Sequence, residues 1–147
     1  MERGGSGFRT LQTWPCGQET PSEAREALAV AGASLVLPTK RGDPWERGAA
    51  GRIYALVGDA GRAIPLLRGE EAWCGEVPDT MAPVSIDTQV VRMRCHLLLG
   101  QMLEQNSDRV GACAEYAAVL SRWGNAKPRS VTAEKARARS KALACAQ

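Results

Sequence analysis

Apolar side chains recur along this chain in steps of three and four residues, the period of an amphipathic helix. A capping signal at residues 20–23 (TPSE) precedes the first such run, at residues 24–31. A second run covers residues 45–57 and ends at Gly58. Asp59 is then suited to cap a helix that carries Ala63 and Leu67 on its inner face. The first half of the chain is therefore predicted to hold three helices.

Pro65 conflicts with the third of these helices, because proline lacks a backbone donor and crowds the preceding turn. The sequence leaves two alternatives at this point. Either the helix is kinked at Pro65, or it starts late, at Ile64.

The second half repeats the pattern more regularly. Residues 87–105 present apolar side chains at helical spacing, residues 106–108 turn the chain, and residues 110–123 form a returning apolar face. Residues 130–132 then begin a last helix that runs through Lys141. The predicted fold class is all-α, a short stack of antiparallel helical hairpins with about six helices. Residues 1–19 are predicted to be a flexible arm and residues 20–147 the helical domain.

The two hairpins are copies of each other in register, because glycine, aspartate and alanine recur at one fixed interval. Gly on the first helix and Ala on the second allow close approach of the axes, as in the tetratricopeptide pattern W-x2-L-G-x2-Y followed by A-x3-F. The signature Trp is absent from both copies, and His96 stands at its position in the second. The predicted packing residues are Gly51, Tyr54, Ala63, Leu67, Leu99, Gly100, Leu103, Ala112 and Tyr116.

The net charge of +3 is unevenly placed, with a cluster of cations near the C-terminus and one acid, Glu134, among them. A solvated helix face is the favoured interpretation, and an anionic partner such as nucleic acid is the alternative. The candidate anion contacts are Lys127, Arg129, Lys135, Arg137, Arg139 and Lys141.

The five cysteines have no C-x-x-C spacing, and their odd number leaves at least one outside any intramolecular disulfide. They are predicted to be buried, reduced thiols, and thiol-based redox sensing ranks last among the functions considered. The N-terminus lacks the apolar core of a signal peptide, and no stretch is apolar enough to span a membrane. A cytoplasmic protein that does not contact membranes is expected.

No catalytic, metal or cofactor site is predicted. His96, the single histidine, is expected to pack at a helix seam with one hydrogen bond, and the adjacent acids Glu70 and Glu71 are expected to be solvated. The chain is therefore not expected to be an enzyme.

Two stretches, GDAGRAIPLLRGEEAWC and GACAEYAAVLSRWGNAKPRSVTAEKARARSKAL, resemble the tetratricopeptide-like C-terminal region of myxobacterial serine/threonine protein kinases. The resemblance covers roughly residues 45–145. It implies a helical interaction module for signalling that ordinarily accompanies a kinase domain. The chain departs from the full pattern, since V-A-I-K, H-R-D and D-F-G are missing and no kinase residue carries over. A detached or stand-alone adaptor that binds a protein or peptide is the expectation, with no prediction of its oligomeric state.

Overall fold

The computed structural model describes residues 20–31, 44–68 and 86–145, and these ranges contain helices and no strand. The helices are α1 (Pro21–Ala31), α2 (Pro44–Leu56), α3 (Ala60–Leu67), α4 (Ile86–Gln105), α5 (Arg109–Trp123) and α6 (Val131–Ala142). The prediction of an all-α fold with about six helices is confirmed. The chain divides into two compact units, Met1–Trp73 and Cys74–Gln147. The predicted arm at residues 1–19 lies outside the described residues.

The first unit begins with a reciprocal cap on α1. The Glu23 backbone N–H donates to Thr20 Oγ1 at 3.3 Å, and the Thr20 N–H donates to Glu23 Oε2 at 3.0 Å. Two donors that a helix N-terminus leaves open are thus satisfied by local side chains. Within this unit α1 packs on α2, with Ala24 fully buried, and α2 packs on α3.

Helix α3 starts at Ala60, directly after its cap, so the predicted alternative of a late start at Ile64 is wrong. Asp59 Oδ1 accepts the Arg62 N–H at 3.1 Å and fixes the first turn. Pro65 lies inside the helix, where it removes a single donor, and the helix ends two residues later at Leu67. The early cap therefore outweighs the local cost of the proline.

The hairpin turns after α2 and α4 have the same backbone geometry. Gly58 has φ 81° in the first turn and Ser107 has φ 62° at the equivalent position in the second. The residue after each one donates its N–H back into the preceding helix, from Asp59 to Tyr54 O at 2.9 Å and from Asp108 to Leu103 O at 2.8 Å. Glycine adopts this left-handed region freely, whereas serine does so at some cost.

Each hairpin is closed by a glycine that faces a large side chain of the returning helix. A Cβ added at Gly51 would lie 2.8 Å from Leu67 Cδ2, and one added at Gly100 would lie 2.5 Å from Tyr116 Cε1. Both distances are shorter than a carbon contact allows, so only glycine fits without movement of the neighbour. The repeat in the sequence thus corresponds to a repeated close approach of helices.

In the second unit α6 packs against α5 and α4 through small residues. Ala133 and Ala136 are buried, and Ser130 Oγ caps the helix by accepting the Ala133 N–H at 3.2 Å. The described part of α6 thus covers the second hairpin with a narrow alanine face.

The prediction of reduced thiols is wrong for Cys113 and Cys145, which form a disulfide with a Cα–Cα distance of 5.6 Å. Helix α6 runs back along α5, which brings residues beyond its C-terminus to the first turns of α5. The Arg109 guanidinium donates to Ala144 O at 2.8 Å beside the same junction. Cys95 is disulfide-bonded as well. Burial alone thus fails to describe Cys113 and Cys145, because the packing of α6 on α5 brings them within bonding distance.

Candidate functional site

The residues predicted for repeat packing lie in the interiors of the two units. Exposure is at most 5% for the side chains among them, and Gly51 and Gly100 are buried as well. In the first unit these residues are Gly51, Tyr54, Ala63 and Leu67, and in the second Leu99, Gly100, Leu103, Ala112 and Tyr116. They hold the hairpins together and are not placed to touch a ligand.

One polar network connects all three helices of the second unit. Tyr116 donates its hydroxyl to Glu104 Oε2 at 2.9 Å, and Arg139 of α6 donates to Glu104 Oε1 at 3.1 Å. The pKa of Tyr116 is raised well above its ordinary value. Burial of the phenol is the larger cause, and the hydrogen bond to Glu104 is the next. Because Arg139 is engaged here, it is not a free cation for an anionic partner.

His96 pairs with Glu115 across the α4–α5 seam, with Nδ1 2.6 Å from Oε2. Both side chains are mostly buried, at 14% and 19% exposure. The carboxylate fixes the orientation of the imidazole. In the described ranges no hydroxyl or thiol is hydrogen-bonded to His96.

Neither a metal site nor a membrane span is found in the described part of the chain. No group of three His, Cys, Asp or Glu side chains converges there. None of the described helices combines the length and the apolar character needed to cross a bilayer.

The six predicted anion contacts fall into two sets. Arg139 is bound to Glu104, and Lys135 and Lys141 are exposed on α6. The other three, Lys127, Arg129 and Arg137, line one cavity between the end of α5 and the start of α6. The basic segment is therefore not a continuous cationic row. Three of its six cations lie together at this cavity, and the other three lie along α6 outside it.

This cavity, called the α5–α6 cavity below, has a volume of about 470 Å³. It is lined by Trp123, residues 124–126, Ser130, and the charged residues Lys127, Arg129, Glu134 and Arg137. Three cationic residues and a single acidic one therefore share its lining. The volume lies within the range of ligand pockets, about 300–1,000 Å³.

Arg137 joins the two sides of the cavity. It donates to Glu134 Oε1 at 2.6 Å and to Gly124 O at 2.8 Å, so it fastens the loop to α6. Lys127 and Arg129 are exposed, and neither forms an ion pair with the described residues. Those two side chains are the cations available to an incoming anion.

The sequence indicated the cations of this cavity but not their shared location. Trp123, at the end of α5, is half-buried and lines the cavity. The short Gly124–Asn125–Ala126 stretch after an aromatic residue is the one signal for a loop that bends back toward a following helix. Side-chain convergence across that loop depends on the packing of α6 on α5, which the local sequence does not specify.

Comparison with known proteins returns no match: no protein-family model, no curated protein and no solved structure is similar to this chain.

Proposed function

We propose that the chain is a non-catalytic protein-interaction module, an adaptor whose helical hairpins present a surface to a protein or peptide. The observation that carries the proposal is the repeated hairpin closure, Gly51 against Leu67 and Gly100 against Tyr116 at equivalent positions. Closely packed helical hairpins of this kind give rigid scaffolds that serve mainly in binding.

The chemistry of the described residues supports a binding role over an enzymatic one. In these residues no hydroxyl or thiol is hydrogen-bonded to His96, and the α5–α6 cavity combines three cationic residues with Trp123 in its lining. A signalling role beside a kinase remains a prediction that rests on the resemblance of residues 45–145 alone.

Nucleic-acid binding through residues 127–141 is the second candidate, and the arrangement of charge supports it less. Phosphate backbones are recognised by rows of unpaired cations. On this segment Arg137 and Arg139 are paired with carboxylates, and Lys135 lies outside the cavity that holds Lys127.

A cytoplasmic location remains a prediction, and the Cys113–Cys145 disulfide is the observation against it. Thiols in the cytosol are usually kept reduced, whereas disulfides persist in oxidising compartments. Cell fractionation with the thiols trapped at lysis decides between the two. A cytoplasmic pool in which Cys113 and Cys145 are alkylated as free thiols would support the prediction.

The proposed function is tested with the full chain as bait under conditions that keep its disulfides intact. Cross-linking followed by mass spectrometry identifies candidate partners, and each candidate is then purified and titrated against the chain by calorimetry. We expect at least one saturable complex of fixed stoichiometry. If no purified candidate binds, or if the candidates bind only through contaminating nucleic acid that nuclease removes, the proposal is wrong.

A further inference from the structure

We infer that the α5–α6 cavity is the binding site for a short acidic segment of a partner protein, with an apolar side chain next to its carboxylates. The occupant follows from the lining of the cavity, which combines two cations without an ion pair, Lys127 and Arg129, with the aromatic residue Trp123. The inference rests on the proposed function only in taking the occupant to be part of a protein.

The charge of the cavity selects an anion. Glu134 is neutralised by Arg137 at 2.6 Å, so the net positive charge resides on Lys127 and Arg129. Both belong to the loop that precedes Ser130, the residue that caps the N-terminus of α6. The first backbone N–H groups of α6 add a partial positive charge to the same end of the cavity. Carboxylates are the common protein groups that complement such a field.

The shape of the cavity limits the length of the anion. A volume of about 470 Å³ accommodates a few side chains and not an extended polymer. Trp123 also lines the cavity, and its indole is an apolar group that an aromatic or aliphatic side chain can cover but a phosphate or a lone carboxylate cannot. A segment that alternates acidic and apolar residues fits both features at once.

The loop is held in place before any ligand arrives. Arg137 bridges Glu134 and Gly124 O, and Ser130 Oγ is bonded to the Ala133 N–H. A site whose walls are already fixed loses little conformational entropy on binding. The cations that meet the ligand, Lys127 and Arg129, are not needed for these bonds, so they can be changed without loosening the wall.

The test uses the full chain and two blocked pentapeptides, one with a Phe flanked by glutamates and one with glutamines in their place. Amide NMR titrations give the affinity and locate the contact. We expect the acidic peptide to bind at least about tenfold more tightly than the neutral one. Its chemical-shift changes should be concentrated in residues 123–137. Equal affinity for both peptides, or shifts spread along the exposed face of α6, would overturn the inference.

Two charge-matched double variants separate the cavity from general attraction. K127Q/R129Q removes the two cavity cations, and K135Q/K141Q removes two exposed cations of α6 outside it. The first should weaken binding of the acidic peptide about tenfold, and the second by about twofold or less, which is the effect of net charge alone. Unchanged far-ultraviolet circular dichroism verifies that both are folded. Equal losses in the two variants contradict a local site.

A third probe, a short DNA duplex, distinguishes a polyanion surface from a peptide site. Tighter binding of the duplex than of the acidic peptide, with equal losses in both double variants, would overturn the inference in favour of the whole basic segment. The inference and the proposed function fail separately. If a protein partner binds K127Q/R129Q as tightly as it binds the unaltered chain, the proposed function stands but the cavity is not the binding site. If the chain binds the acidic peptide but no purified protein, the cavity binds acidic peptides but the proposed function is wrong.

Discussion

Replacing Gly100 with alanine adds one methyl group at the closest approach of α4 and α5. The new Cβ would lie 2.5 Å from Tyr116 Cε1, 2.9 Å from Cδ1 and 3.1 Å from Cζ. The ring cannot easily move away, because Tyr116 is fully buried and its hydroxyl is bonded to Glu104. Overpacking costs about 1–3 kcal/mol, and a fixed aromatic ring places this site at the upper end. The higher helix propensity of alanine offsets about 1 kcal/mol of this cost. The free energy of unfolding should therefore fall by about 2 kcal/mol.

The chain offers a matched control for this substitution. Gly61 is also helical, but it is exposed, and a Cβ there would have only Asp59 Oδ1 nearby, at 3.7 Å. Gly61→Ala should therefore leave stability unchanged or raise it by up to about 1 kcal/mol. Urea unfolding followed by far-ultraviolet circular dichroism compares the two variants with the unaltered chain. The urea midpoint of unfolding should fall for G100A, and for G61A it should rise or stay unchanged.

A double variant tests whether the cost arises from the ring itself. Gly100→Ala combined with Tyr116→Leu should be less destabilised than the sum of the single changes, by about 1–2 kcal/mol, because leucine leaves room for the methyl group. If G100A is as stable as G61A, the close approach of the two helices is not what holds this hairpin. Strict additivity in the double variant would refute the same reasoning.

Other predictions concern the second unit. Tyr116→Phe should cost about 1 kcal/mol at neutral pH, because Glu104 Oε2 loses the hydrogen bond from the Tyr116 hydroxyl while Oε1 keeps the one from Arg139. The pKa of Tyr116 is raised in the folded state, so the stability it contributes is present below pH about 10 and is lost as pH rises above it. Urea titrations on both sides of that pH should show a steeper loss for the unaltered chain than for Y116F. Asp108→Ala removes the 2.8 Å cap on Gly111 N and should cost about 1 kcal/mol in the same assay. The C113A/C145A variant opens a bond that spans 32 residues and should lose about 2–4 kcal/mol, measured by thermal unfolding without reductant. An unchanged midpoint in that variant would mean that the bond does not constrain the unfolded chain.

Much of the fold could be predicted from local signals. The capping box at Thr20 and Glu23, the caps at Asp59 and Asp108, and the helical apolar spacing each involve residues within one or two turns. Such signals act before tertiary packing and are therefore readable from the sequence. The register of the two hairpins was readable as well, because glycine at the crossing point is a requirement of packing that recurs in both copies.

Contacts between distant residues could not be predicted in the same way. The Cys113–Cys145 bond, the Glu104–Arg139 ion pair and the α5–α6 cavity all depend on how α6 lies on α5. The apolar face of α6 is mostly alanine, which indicates a buried helix face but not its direction or rotation. The alternative of a late helix start at Ile64 was wrong for a different reason. Proline is locally unfavourable inside a helix, but α3 still begins directly after the Asp59 cap, six residues before Pro65.

Hydrogen exchange of the full chain, measured by mass spectrometry with and without its purified protein partner, tests the interaction role most directly. We predict saturable protection on the described helices of the second unit, strongest around residues 123–137. Protection should be reduced when K127Q/R129Q replaces the unaltered chain at the same partner concentration. A complex that forms without protection anywhere in the chain, or protection produced only by nucleic acid, would contradict the account.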